Sequence, residues 1–365
     1  MPDETIIHAV GDIWFGDHPV TIGHGVRSIA ERIGPGCLLD KVKKVFVDGD
    51  INFCNLETVL SDIEMHPRRL ASIEMRGSPS CVEELRAGRF NVVSVANNHM
   101  MQHGRPCYEE TVDVLRRSGI TPIGIDECGK TNQYIHTKDG VKICLVSYSL
   151  HQEKYFKGEV PYSYRSEGSA IIEEVTALRK SFDGFLICSL HWGSEFINYP
   201  SREQILLARS LIDRGVQTVL GHHPHVLQGI ERYKDGLIAY SMGNFVFDLI
   251  PKSTRDTIIL RLNVLTHREF TYEAIPVVIN DMYQPEIASG SAKRRIEENL
   301  VQYGRMIEQG LEMSGDEYRR HVNRELNKYR IKNYTYFLKH LHTYHPRIVL
   351  QSLARTVFSK LLLKR

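Results

Sequence analysis

Five apolar, β-branched runs in this chain each end on side chains that ligate metals or move protons, and that pattern restricts the fold more than any other feature. Residues 5–10 run into Gly11-Asp12, residues 45–52 lead through Phe53-Cys54 into Asn55-Leu56-Glu57, and residues 91–95 run into Ala96-Asn97-Asn98-His99. Residues 184–190 run into His191-Trp192-Gly193-Ser194-Glu195, and 216–220 into Gly221-His222-His223-Pro224-His225. Ligands of open α/β sheets bind in the crevice outside the carboxyl ends of the strands. If the five strands lie in one sheet, one edge collects all of these groups.

Helix-like segments separate the runs. Helical periodicity is clearest at 108–117, 169–180 and 201–214; in the last, Ile205, Leu206, Ala208, Leu211 and Ile212 form one apolar face and Gly215 stops the helix. Further strands are expected at 121–125, 141–147, 236–240, 257–262 and 268–278. Alternating strand and helix predicts α/β architecture with a largely buried sheet. The final strands follow one another without helices, so part of the sheet is expected to be antiparallel.

The side chains at these ends have a common chemistry. Neutral imidazole is the commonest metal ligand near pH 7. The His-x-His spacing puts His223 and His225 on one side of an extended segment, where they can serve one ion or two adjacent ions. Glu57 can bridge two cations with its two oxygens, with Asp50 as its competitor. Asn98 offers an amide oxygen, His99 can donate a proton to a leaving oxygen, and Glu195 can orient a ligand histidine or contact substrate. Taken singly, each segment is also explained as a capped turn or a hydrogen-bonded side chain, as is Asn244 in Ser241-Met242-Gly243-Asn244-Phe245. Together, a mixed Asp/Glu/Asn/His set without thiolate is what two hydrolytic divalent ions take.

Composition narrows the class. The 365 residues are 42% hydrophobic and 25% charged with a net charge of +2, a globular composition. Seven scattered cysteines without a Cys-x-x-Cys pair fit reduced thiols, mostly in the core. Met1-Pro2-Asp3-Glu4 leads straight into an apolar strand, and no run approaches the ~18–20 apolar residues that span a bilayer. A cytoplasmic, at most membrane-peripheral, protein is expected. Composition shifts after about residue 285, which divides the chain into a domain at 1–284 and a basic helical extension at 285–365. Residues 291–365 hold 16 Lys and Arg against 7 Asp and Glu, a net of +9, whereas the first 290 hold 30 against 37, a net of −7. In the last stretch Leu350, Leu353, Ala354, Val357, Phe358, Leu361 and Leu362 share a face, with Arg355, Lys360, Lys364 and Arg365 around it. Such a helix, at 346–365, can lie on an anionic membrane or dock on an acidic partner; the plainer reading packs it back on the domain. No nucleic-acid partner is expected, because the basic residues form no recognised binding motif.

With these motifs assembled, the chain resembles the CapA/PgsA-type capsule-biosynthesis family, relatives of the calcineurin-like metallophosphoesterases associated with poly-γ-glutamate production. The matching segments are Gly11-Asp12, Asn55-Leu56-Glu57, Asn97-Asn98-His99, His191-Trp192-Gly193-x-Glu195, Gly221 to Val226 and Ser241 to Asp248, in the family's order over roughly residues 5–250. The resemblance implies an α/β fold, a four-layer α/β/β/α metallophosphatase-like sandwich with a C-terminal helical extension. It implies two divalent ions, Mn, Fe or Zn, at the strand ends. Asp12 and His225 would favour one ion, and Asn98, His191 and His223 the other. Glu57 would bridge in place of the usual Asp, and His99 would act as general acid or transition-state stabiliser. The implied activity is metal-dependent hydrolysis of a phosphoester or a γ-glutamyl or peptide amide in capsule or polymer biosynthesis. The alternative is a non-catalytic accessory protein of an anionic-polymer biosynthesis complex. The expected partners are therefore an anionic polymer or phosphoester substrate, a biosynthesis-complex partner, or the anionic membrane surface. Three departures stand out. Trp14 replaces the histidine of the superfamily's Asp-x-His, leaving His18 or Asp17 to supply that ligand; Gln102 stands where members commonly carry Asp; and the N-terminal membrane anchor of many members is not expected from Met1-Pro2-Asp3-Glu4 and the strand that follows.

Overall fold

A computed structural model describes residues 4–153 and 156–362, with side chains through Arg355. Two β-sheets carry the chain. The first contains β1 (Thr5–Ile13), β2 (Ile51–Leu56), β3 (Val92–Ser94) and β4 (Thr121–Ile123). The second contains β5 (Tyr134–Lys138), β6 (Val141–Ser149), β7 (Phe185–His191), β8 (Thr218–His222), β9 (Ile230–Tyr233) and β10 (Gly236–Ala239), in the order β9-β10-β8-β7-β6-β5. The chain then returns to the first sheet with β11 (Asn244–Val246), β12 (Asp256–Val264), β13 (Phe270–Ile279) and β14 (Pro285–Ile287), giving β14-β13-β12-β1-β2-β3-β4 with β11 beside the end of β1. Strands β1 to β4 pair in parallel, as do β6, β7, β8 and β10. Strands β12 to β14 are antiparallel, as their helix-free sequence predicts.

Strand alternation assigns each side chain to a layer. Ile7, Ala9, Ile51, Phe53 and Val92 meet Ile143, Leu145, Phe185, Ile187 and Leu220 between the sheets. The opposite face of the first sheet, with Val10, Cys54, Leu56 and Val93, is covered by α1 (Val26–Ile33) and α2 (Arg105–Arg117). The outer face of the second, with Cys144, Val146, Leu186 and Cys188, is covered by α3 (Gly168–Ser181) and α4 (Arg202–Asp213). The result is a four-layer α/β/β/α sandwich. Both faces of each sheet being covered, the central strands read as continuous apolar runs. All seven cysteines are free, five of them buried.

Three local expectations are corrected. The site-bearing strands belong to two sheets, not one, because the second sheet stacks on the first rather than extending it. Residues 45–48 form a 3-10 turn, not a strand; Asp48-Gly49-Asp50 turns the chain, Val47 is 56% exposed, and β2 starts only at Ile51. On α4 the buried face runs through Leu207 while Leu206 is 51% exposed. The Ser201–Gln204 capping box fixes the start of that helix.

The basic tail forms α5 (Gly290–Glu312), α6 (Gly315–Lys339) and α7 (Pro346–Leu362). Ile296 of α5 is fully buried in the cluster between the sheets, and Ile307 joins the cluster under α3 and α4. On α7, the side chain of Arg355 pairs with Glu74 at 2.6 Å. The remainder of the amphipathic face expected at 346–365, from Val357 onward, lies outside the described side chains. Among the described residues no helix is long and apolar enough to cross a membrane.

Because Ile296 closes the central core, Ile296→Ala should destabilise the whole sandwich by about 2–5 kcal/mol. Urea unfolding should show one cooperative transition at a lower midpoint; an unchanged midpoint would mean that α5 is energetically separate.

Candidate metal centre

The carboxyl ends of β1, β2, β3, β7 and β8 meet at the seam between the sheets, which brings Asp12, Glu57, Asn98, His191, His223 and His225 together. Two glycines permit the approach. At Gly11 strand β1 leaves β12 and pairs with β11; a Cβ there would stand 2.0 Å from the Gly243 carbonyl oxygen. At Gly221 a Cβ would stand 1.9 Å from the Tyr240 carbonyl oxygen. Only glycine fits either place; Gly11 sits directly before Asp12, and Gly221 two residues before His223.

Asp12 is fully buried and firmly oriented. Its Oδ1 accepts from Asn55 Nδ2 (2.8 Å) and His222 Nδ1 (3.0 Å), and its Oδ2 accepts from the backbone N–H of His223 (3.1 Å). Burial pushes its carboxyl up, but His222, His225 and Asn55 outweigh that and hold it below the usual carboxylate range. Glu57 is the opposite case. It too is fully buried, but neither of its oxygens has a hydrogen-bond partner. Burial, and then the charges of Asp12 and Glu195, push its carboxyl well up.

Around Glu57 Oε1 stand His191 Nε2 at 3.6 Å, His225 Nε2 at 3.7 Å and His99 Nε2 at 3.9 Å. These separations are too long for hydrogen bonds. They suit donors that share an ion, since two ligands each about 2.0–2.2 Å from a metal sit roughly 3 Å or more apart. Two groups result, Glu57 with His191 and His223, and Asp12 with Glu57 and His225; within each, the candidate ligand atoms lie within 4.8 Å of one another. Glu57 belongs to both. His223 and His225 are not on one extended segment: each has a left-handed backbone, φ +94° and +57°, and the turns about Pro224 send one imidazole to each group. Burial, reinforced by neighbouring imidazoles, drives His191 and His223 well below the ordinary histidine pKa, so both stay in the neutral, metal-binding form.

Second partners orient the rings. His225 Nδ1 donates to Asn244 Oδ1 at 2.9 Å, and the Asn244 amide nitrogen donates to the Thr254 carbonyl (3.1 Å), which fixes the oxygen toward the imidazole. The Nε2 of His225 is thus left to face Glu57. His191 Nε2 lies 2.7 Å from Asn98 Oδ1. His99 Nδ1 donates to Gln102 Oε1 at 3.0 Å, so Gln102 orients His99 without lending it a charge.

Trp14 is fully buried, stacks on Phe247 (4.9 Å) and meets the His99 ring edge-on at 5.2 Å. Asp17 turns away, accepting from the backbone N–H of Gly23 (2.9 Å) and Ser28 (3.1 Å), and carries no ligand role. His18 instead borders the cavity over the site, together with Asn98, His99, Glu195 and His225; burial, then His99 and His225, push its pKa down to about 3.

Three further side chains take part: His151, which lies outside the sequence motifs, and His222 and Asn55, which lie within them without a role assigned from the sequence. His151 stacks on His223 with ring centroids 3.9 Å apart, and its Nε2 hydrogen-bonds the Gly193 carbonyl at 2.8 Å. It follows the apolar β6, the same strand-to-polar signal that marks the other five ends. His222, the third imidazole of the cluster, and Asn55 orient Asp12.

If Glu57 is held for cations, Glu57→Gln should stabilise the metal-free protein at neutral pH by about 1–3 kcal/mol by removing an unpartnered buried carboxylate. The sign follows from its raised pKa: the penalty is absent below the unfolded carboxylate pKa and grows as pH rises through the folded one. Thermal melts with and without Mn²⁺ should show a higher melting point for the metal-free variant and no further gain on adding metal; a variant still stabilised by metal like the parent would refute the role.

Comparison with known proteins was made against this geometry. The chain is 26% identical over 304 residues to the capsule biosynthesis protein CapA of Bacillus anthracis, covering 80% of this chain and 72% of that one. It is 26% identical over 292 residues to the PGA biosynthesis protein CapA of Bacillus subtilis, covering 78% and 74%. A Mycobacterium tuberculosis protein named probable polyglutamine synthesis accessory protein is 28% identical over 219 residues, covering 54% and 56%. The family described as bacterial capsule synthesis protein PGA_cap matches residues 6–249, the stretch that holds every candidate ligand, and the chain belongs to that family.

Proposed function

We propose that this protein is a di-metal hydrolase of capsule or poly-γ-glutamate biosynthesis that cleaves a phosphoester or a γ-glutamyl amide of an anionic substrate. The observation that carries this reading is Glu57, buried with both oxygens unpartnered and shared by two ligand groups. Asp12 and His225 would hold one divalent ion, Asn98, His191 and His223 the other, and Glu57 would serve both; Mn, Fe and Zn all accept this donor set. Two ions bound there would supply polarisation of the scissile group and a bound water of lowered pKa.

The chain's own residues do the rest. His99, oriented by Gln102, delivers a proton from Nε2 to the leaving oxygen or nitrogen. Glu195, on the cavity wall, orients substrate. Trp14 and Phe247 pack beside His99 and exclude water from that side of the site. The test is turnover of bis(p-nitrophenyl) phosphate and of γ-glutamyl oligomers by the Mn²⁺-loaded protein. His191→Ala and Glu57→Ala should each lose at least about 10³-fold of turnover while remaining folded; either variant turning over like the parent would refute the assignment.

Gln102→Asp tests the acid. A carboxylate at this place favours the imidazolium, so the alkaline limb of kcat/KM should move to higher pH by about 1 unit. A limb that stays in place removes His99 from the acid role.

A second reading, a non-catalytic accessory protein of a polymer-biosynthesis complex, is favoured by Trp14, which leaves the Asp12 group with Asp12, Glu57 and His225 as its candidate protein ligands among the described residues. Metal bound at full occupancy with no turnover of either substrate class would support it. The basic extension then becomes the surface that meets an acidic partner or anionic membrane, tested by co-sedimentation with anionic vesicles after deletion of residues 346–365.

A further inference from the structure

The half-open cavity above the two ligand groups is bordered in part from outside the family core. Its walls include Trp14, His18, His99, Glu195 and Phe196, and its remaining side is Tyr329 of α6, 80 residues beyond the end of the family match at residue 249. The Tyr329 ring stacks on Phe196 with centroids 4.3 Å apart, and its hydroxyl meets His18 Nε2 at 3.1 Å. Phe196 is itself held in a left-handed conformation (φ +66°), with its N–H on the Pro224 carbonyl at 2.8 Å, between the two imidazoles of the His-x-His segment. The roof is thereby tied to the turn that presents His223 and His225.

Helix α6 is fastened on both sides of the opening. Toward the Phe196 side, Tyr199 OH meets His321 Nδ1 at 2.5 Å. Toward the His18 side, Tyr336 OH meets His24 Nε2 at 2.9 Å, and just past the helix Tyr344 OH donates to the Val20 carbonyl at 2.5 Å. With α6 in place the cavity holds about 170 Å³. Pockets that enclose a drug-sized ligand run to about 300–1,000 Å³. A space of this size suits a phosphoryl group or a single terminal residue better than a polymer strand.

We propose that α6 is a fixed roof that restricts this site to small or chain-terminal substrates, and that Tyr329 is the residue that sets the size limit. The proposal rests on the hydrolase reading for its substrate and on the cavity alone for its geometry. Internal bonds of an anionic polymer are then excluded by the ring of Tyr329, not by the ligand groups beneath it.

The test uses the full chain loaded with Mn²⁺ and the variants Tyr329→Ala and Tyr329→Phe. Two diesters with the same leaving group serve as probes, methyl p-nitrophenyl phosphate and thymidine 5′-p-nitrophenyl phosphate. Tyr329→Ala should raise kcat/KM for the bulky probe relative to the small one by at least tenfold, and Tyr329→Phe, which keeps the ring, should leave that ratio near the parent value. EDTA should strip Mn²⁺ at least tenfold faster from Tyr329→Ala at equal starting metal content. Equal ratios and equal stripping rates in parent and Tyr329→Ala would overturn the roof. Without turnover, the hydrolase reading fails while the stripping rate still decides the roof. Without metal binding, diethyl pyrocarbonate labelling of His99 and His225 decides it: faster in Tyr329→Ala supports the roof, and equal rates overturn it. Should Tyr329→Ala fail to fold, Tyr329→Leu takes its place in each comparison.

Discussion

A carboxylate with no hydrogen bond, held at the seam between two sheets, sets the terms for the rest of this structure. An isolated buried charge is costly unless it is paired, neutralised or bound to a cation. The surroundings of Glu57 fit the last case: three imidazole nitrogens stand 3.6 to 3.9 Å away, near enough to share an ion and too far to donate a hydrogen bond. Neighbouring features serve this arrangement. Gly11 and Gly221 let two strands close on the Gly243 and Tyr240 carbonyls. His222, Asn55 and the His223 N–H leave Asp12 no freedom to turn. The left-handed turns at His223 and His225 divide one short motif between two ligand groups. Strained backbone of this kind persists where the surrounding packing over-determines it.

The neighbourhood of His99 differs in character from the candidate ligand groups. Trp14 and Phe247 form an apolar wall against His99, and Gln102 gives that imidazole direction without charge. A tryptophan and a glutamine thus replace a histidine and an aspartate that the resemblance leads one to expect. The first substitution subtracts a ligand and the second a charge. Neither disturbs Glu57.

Much of this was legible in the sequence because strand ends are legible. Continuous apolar runs interrupted by helical periodicity give an α/β sandwich, and polar residues just past each run mark the functional edge. Period-2 reasoning failed where the backbone left regular geometry: it could not foresee that His223 and His225 diverge, since φ above zero at a non-glycine residue is enforced by tertiary contacts. It placed a strand at 45–48, where Asp48-Gly49-Asp50 instead turns the chain. His151 escaped notice because a lone histidine past a strand has no motif around it. Tyr329 was invisible for a different reason: its place, 80 residues beyond the end of the family match, depends on how α6 folds back on Phe196 and His18.

The basic extension is two things at once. Through Ile296 and Ile307 it completes cores that the strands begin, and through Tyr329 it lines the cavity at the ends of those strands. The central claim, that Glu57 is shared between two cations, is tested most directly by anomalous diffraction from crystals grown with Mn²⁺. Two peaks about 3.5–4 Å apart, with Glu57 between them, His191 and His223 on one and Asp12 and His225 on the other, are the expected result. A single peak, or a Glu57 carboxyl that bonds no ion, would contradict it.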